Sequence, residues 1–140
     1  MDDEPVGICQ ARMLAAEEAW LQGIRVDPDH RGEGHGRAMT AHLLDWAADR
    51  GAAVARVMVF GWNEAGLAQA RLNGFTAVTA GRLAERVPDA DAQPALSIRD
   101  AVAAGWTFWT DSAARDWLGG LALHEDHAWA ATELTRDRLD

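Results

Sequence analysis

The sequence predicts an α/β protein built on a mixed sheet, an α+β arrangement, and three observations carry that reading. Two runs of strand composition, 5–14 and 18–26, are separated only by Ala15-Ala16-Glu17, the spacing of a hairpin. The second run passes through Val26-Asp27-Pro28 into the alternating glycines Gly32, Gly34 and Gly36, and then at once into helical periodicity. Further on, apolar runs at 54–60 and 75–80 flank a second helical segment, so strand and helix alternate as in a parallel crossover.

Each element has a local cause. Val6, Ile8, Cys9, Met13 and Leu14 supply the first strand, and Trp20, Leu21, Ile24 and Val26 the second. Gly23 interrupts the second, and glycine inside a strand marks a bulge or a close ligand approach as readily as it accommodates a packed Trp. Over 37–50, Met39, Leu43, Trp46 and Ala47 recur at i, i+4, i+7 and i+8, while His42, Asp45, Asp49 and Arg50 point elsewhere. Gly51 stands where a left-handed helix cap belongs. The apolar run 54–60 is expected to be a strand buried on both faces. Asn63 is an N-cap for a helix over 64–72, with Gly74 as its stop and 75–80 as the following strand. Gly66 inside that helix costs about 1 kcal/mol relative to Ala, which marks close packing.

The domain organisation is read as a core over 1–80, a Pro-, Asp- and Ala-rich linker over 81–94, and an extension over 95–140. In the extension Ser97 is expected to cap a helix ending at Gly105, and 106–110 to be extended. Asp111 is expected to cap a short helix ending at Gly119-Gly120, and 128–134 to form one more strand.

Composition narrows the function. The 140 residues are 49% apolar and 25% charged, an ordinary globular balance with room for one core. No run of eighteen apolar residues and no basic-then-apolar leader is present, so neither a membrane span nor a secretory signal is read, and a cytoplasmic location is expected. Cys9 is the only cysteine and is read as core. All 13 basic residues are arginine against 22 acidic ones, a net charge of −9 that supplies no basic surface for nucleic acid. The acidic, lysine-free balance suits a salt-rich cytosol, where a screening length of about 3 Å at 1 M salt removes long-range repulsion of an anionic ligand. His124 and His127, with Glu125 and Asp126, read as an exposed acidic turn, and no metal site is expected. Seven tryptophans point to a well-packed core or a seam between copies in a homo-oligomer.

The glycine loop carries the chemistry. Glycines between a strand and a helix start admit positive φ and let a ligand approach bare amides, and the helix N-terminus adds unsatisfied N–H groups and a positive dipole end. Such a junction suits a phosphate. It is not a Walker loop, which needs a lysine, nor a dinucleotide fingerprint, because Arg37 stands where the third glycine belongs.

The pattern Arg31-x-x-Gly34-x-Gly36 after Val26-x-Pro28 instead resembles the pyrophosphate loop of the GNAT superfamily of N-acetyltransferases. Asn63, followed eleven and twelve residues later by Gly74-Phe75, continues the resemblance over roughly 18–78. It implies a partial GNAT-like acyl-CoA N-acyltransferase fold, with acetyl-CoA as co-substrate and a primary amine as acceptor. It implies that Arg31, Gly32, Gly34, His35, Gly36 and Arg37 hold the pyrophosphate, that backbone amides of Ile24 and Val26 meet the acyl end, and that Asn63 contacts the pantetheine arm. The amine would attack the thioester directly, with Glu18 as its base, itself or through water. The family commonly places a tyrosine seven residues after the asparagine to protonate the departing thiolate, and that position is Ala70. The family's elements before the hairpin have no counterpart, so the chain reads as a truncated form, or as one whose acceptor pocket the last forty residues or a second subunit supply. A catalytically weak acyl-CoA-binding or assembly module is the alternative.

Overall fold

The computed structural model describes residues 4–81, 101–124 and 129–139. Three strands form one sheet in the order β1 (Gly7–Ala15), β2 (Glu18–Val26), β3 (Val54–Val57). β1 and β2 are antiparallel, as the two-residue turn between them requires, and β2 and β3 are parallel through the crossover helix α1 (His35–Ala48). Helix α2 (Glu64–Leu72) follows β3. Helices α3 (Val102–Asp111) and α4 (Ala113–Trp117) come next, and β4 (Leu121–Leu123) pairs with β5 (Ala131–Glu133) as a second, two-stranded sheet. No helix among the described residues is long and apolar enough to cross a membrane.

The chain divides into two compact units, one of Met1–Thr76 with Leu123–Thr132 and one of Ala77–Ala122 with Glu133–Asp140. In the first, Ala19 and Leu21 of β2 and Leu43 and Ala47 of α1 form the buried centre. Cys9, Met13, Trp46, Val57 and Phe75 pack around it. The periodicity read from the sequence places α1 correctly: Leu43 and Ala47 face inward, and His42, Asp45, Asp49 and Arg50 face water. Gly51 takes the left-handed conformation at φ +89°, and Arg50 lies over the Trp46 ring at 4.1 Å. In the second unit Trp109 is buried on α3, whereas Trp117 is 76% exposed.

Several expectations are corrected. β3 ends at Val57 and is not buried on both faces; residues 75–80 form no strand, so among the described residues β3 pairs with β2 alone. Val54, Met58 and Phe60 are accordingly exposed. Gly105 does not end a helix, and 106–110 is not extended, because α3 runs through both to Asp111. Ser112, not Asp111, occupies the cap of α4, without a side-chain bond. Gly119 and Gly120 do follow α4 with positive φ. The expected linker beyond Gly81, the Ser97 cap and the Glu125, Asp126 and His127 turn lie outside the described residues.

Leu21 has no exposed surface and sits where β2, β1 and α1 meet. Leu21→Ala is expected to lower the unfolding free energy by about 2–5 kcal/mol, read as a shift in urea midpoint with little change in slope.

Candidate functional site

The site begins with a change in how β2 is paired. Over Glu18–Leu21 the strand is bonded on both sides, with Leu21 opposite Val57 as the last parallel pair. Between the Ile8–Arg25 and Gln10–Gln22 pairs β2 carries one residue more than β1, a bulge at which Gly23 takes φ +64°. Beyond it β2 keeps β1 and loses β3. Asp27 N–H donates to the Val6 carbonyl at 2.8 Å, so by ladder alternation Arg25 also faces β1 and the Val26 peptide groups face the other way.

The space opened between the diverging strands is a cleft of about 1530 Å³ within the first unit. All nine residues assigned above to the co-substrate line it: Ile24, Val26, Arg31, Gly32, Gly34, His35, Gly36, Arg37 and Asn63. The loop is built by local rules. Asp27 Oδ1 accepts from Asp29 N–H at 2.9 Å and starts a single 3-10 turn over Pro28–His30, which the sequence reading did not foresee. Gly32 and Gly34 then adopt φ +86° and +88°, and a Cβ on either would meet nothing within 4 Å. These glycines answer to backbone conformation and not to crowding. Gly34 is the N-cap of α1 and offers no side chain to its first turn. Among the described residues the amides of Gly32, Gly34, His35, Gly36 and Arg37 have no protein acceptor.

The charge around this loop runs against the charge of the chain. Arg25, Arg31 and Arg37 line the cleft with His30 and His35, and Asp27 is the one carboxylate among the described lining residues. The Arg31 guanidinium is fixed at its root, since Nε donates to the Val26 carbonyl at 3.3 Å. His35 Nε2 lies 3.1 Å from Glu33 Oε2, and the His30 and His35 rings are 6.4 Å apart.

Asn63 is the cap of α2 that the sequence predicts: its Oδ1 accepts from Gly66 N–H at 2.9 Å. The cap occupies the acceptor and leaves the Nδ2 donor for the cleft. Gly66 is glycine because a Cβ there would stand 2.7 Å from Asn63 Nδ2 and 3.0 Å from Val59 Cγ1. Ala70 lines the cleft and carries no proton to give.

Glu18 is not brought to this site. Its carboxylate pairs with Arg56 and accepts from Thr132 Oγ1 at 2.9 Å, and its side chain is only 12% exposed. It lies about 20 Å along β2 from Ile24 at 3.3 Å per residue. The geometry therefore gives it the surroundings of an anchor between β2, β3 and β5, not of a base in the cleft.

Two groups of lining residues were missed in the sequence. Phe60 and Trp62 stack with centroids 5.4 Å apart and planes 9° from parallel, although Trp62 is 79% exposed. Alternation around Trp62 gives no hint of this, because the pair lies after β3 has ended. Gln69 of α2 reaches α1 and bonds both the Gly36 carbonyl and Thr40 Oγ1. Its place at i+6 from the cap carries no recognised signal; only the buried Thr40 on the apolar face of α1 breaks pattern.

The Acetyltransferase (GNAT) family model matches residues 1–75 of the 140. Over 66 residues the chain is 39% identical to the ribosomal protein bS18-alanine N-acetyltransferase of Escherichia coli (strain K12), and the same figures hold for that of Shigella flexneri. The match covers 47% of this chain and 45% of each relative, so the chain spans about half the length of these curated relatives. A solved acetyltransferase from Agrobacterium tumefaciens str. C58 shares the fold with a TM-score of 0.54, at 18% identity over 61% of this chain and 64% of that one.

Two substitutions separate the roles described. Gly34→Ala is expected to lower stability by about 1–2 kcal/mol through its left-handed backbone alone, seen as a fall in Tm. Glu18→Gln leaves Arg56 without its counter-charge in a largely buried setting and is expected to cost about 3 kcal/mol in chemical unfolding.

Proposed function

Because the chain belongs to the GNAT acetyltransferase family, we propose that it transfers an acetyl group from acetyl-CoA to a primary amine, and that the cleft between the splayed strands is where it does so. The observation that carries this reading is the run of unpartnered amides from Gly32 to Arg37, set at the N-terminus of α1 beside Arg31 and Arg37. Acetyl-CoA supplies an activated thioester acyl group and a diphosphate by which it is held.

The loop amides and the α1 dipole hold the diphosphate, and the Arg31 and Arg37 side chains add charge-assisted bonds. Nδ2 of Asn63 donates to an amide carbonyl of the pantetheine arm, the one role its cap leaves open. The arm lies between β2 and β3, where it satisfies strand groups that no longer satisfy each other. The Val26 N–H, directed away from β1, donates to the thioester carbonyl oxygen and stabilises the charge that gathers there during attack. With Ala70 inert and Glu18 held outside the cleft, water takes the proton that the attacking nitrogen releases and gives one to the departing thiolate, which a thiol of pKa near 8.5 permits at neutral pH. Glu18 holds the sheet and takes no part.

The acceptor we propose is the α-amino group of a protein beginning with alanine. Its support is the 39% identity, over 66 residues, to enzymes named for that residue.

Titrating acetyl-CoA against Trp fluorescence uses Trp20, Trp62 and Trp129, all in the cleft. Saturable quenching is expected, followed by thiol release with an Ala-initiated peptide exceeding that with small amines. Arg31→Ala is expected to weaken binding by about 1.5–3 kcal/mol, the range for a charge-assisted bond. Quenching without release above the solvent rate on any amine would refute acyl transfer while leaving the cleft a binding site.

A further inference from the structure

Gly36 and Arg37 share one peptide group, and what is bonded to its oxygen decides where its N–H points. The bond is trans, so the Gly36 carbonyl is directed into α1 and the Arg37 N–H out of its N-terminus toward the cleft. Three hydrogen bonds converge on this turn. Thr40 Oγ1 donates to the Gly36 oxygen at 2.9 Å, Gln69 Nε2 donates to the same oxygen at 2.7 Å, and Gln69 Nε2 also donates to Thr40 Oγ1 at 2.6 Å. Thr40 is 3% exposed, and Gly36 and Gln69 are half-buried. A Cβ on Gly36 would stand 3.0 Å from Gln69 Oε1, so glycine at 36 is what lets α2 approach this closely.

We infer that Gln69 is a positioning residue for the diphosphate: by holding the Gly36 carbonyl it orients and polarises the Arg37 amide that meets the anion. Donors on a carbonyl oxygen draw electron density from the attached nitrogen, so the opposite N–H becomes a stronger donor in the same direction. The device also joins two parts of the co-substrate, the pantetheine arm and the diphosphate. Gln69 lies on the helix that Asn63 caps, so one rigid element of nine residues carries the pantetheine contact at its start and the phosphate-loop restraint six residues on. A ligand seated on one is presented with the other in register, and α2 sets the spacing. The inference rests on the acetyl-CoA reading given above.

Its test uses two ligands and two variants of the full chain. Gln69→Met keeps length and loses the donor; Gln69→Glu keeps shape and sets an oxygen against the Gly36 oxygen. Acetyl-CoA and acetyl-pantetheine, which lacks the diphosphate, are titrated against wild type and each variant, with far-UV circular dichroism reporting on folding. The Met variant is expected to bind acetyl-CoA about 3- to 10-fold more weakly, the Glu variant more weakly still, and both to bind acetyl-pantetheine as wild type does. In turnover, KM for acetyl-CoA rises and kcat holds. Equal weakening toward both ligands would show that Gln69 merely packs two helices, and unchanged acetyl-CoA affinity would show that it does nothing for the anion; either overturns the inference while wild-type binding keeps the acyl-transfer reading standing. Failure of wild type to bind acetyl-CoA would overturn both.

Discussion

The structure depends on where β2 stops having two neighbours. A central strand satisfies its peptide groups on both sides, and this one does so only from Glu18 to Leu21. At Gly23 an extra residue enters, the strand turns with β1, and β3 ends at Val57. Peptide groups that lose a strand partner must find another donor or acceptor, so a sheet that opens in this way presents bare backbone to water or to a ligand in the gap. The opening also sets the direction of the chain. β2 delivers Asp27 to the rim of the cleft, the 3-10 turn reverses it, and α1 begins there with its amides facing back across the gap.

A net charge of −9 would seem a poor start for holding a polyanion, and the resolution lies in distance. At physiological ionic strength charges more than about 8 Å away are heavily screened, whereas contact groups are not. Within contact range the cleft presents three arginines and one carboxylate, and that carboxylate, Asp27, is occupied in part by Asp29 N–H. The unpartnered amides add a fixed positive field that requires no charged residue at all. Net charge thus describes the outer surface, and the loop's chemistry is set by the residues that line the cleft.

Much of the first unit could be read in the residues because its determinants are local. The hairpin comes from two apolar runs with a two-residue turn, α1 from its apolar period, and the α2 cap from Asn63 followed by Gly66. The loop glycines announce positive φ, and two of them have it. The bulge at Gly23 was legible for the same reason. What escaped depends on partners distant in sequence. Residues 75–80 have strand composition, but among the described residues no neighbouring strand receives them, and propensity does not form a ladder alone. Trp106, Phe108 and Trp109 have the bulky aromatic composition that favours strands, yet they lie on a helix, where Trp106 and Trp109, three apart, share the inward face and Phe108 is exposed. Glu18, expected to act as a base, is held by Arg56 and by Thr132, whose nearness no local pattern reveals.

That last bond bears on how the molecule is made. Thr132 and Glu18 are 114 positions apart, and residues 123–132 belong to the same compact unit as the hairpin. Closing so long a loop costs about 4 kcal/mol of chain entropy before any contact repays it. On the ribosome, the hairpin, α1 and α2 emerge well before their last tie is synthesised. The N-terminal sheet therefore gains this tie only once Thr132 has been translated, after the hairpin, α1 and α2.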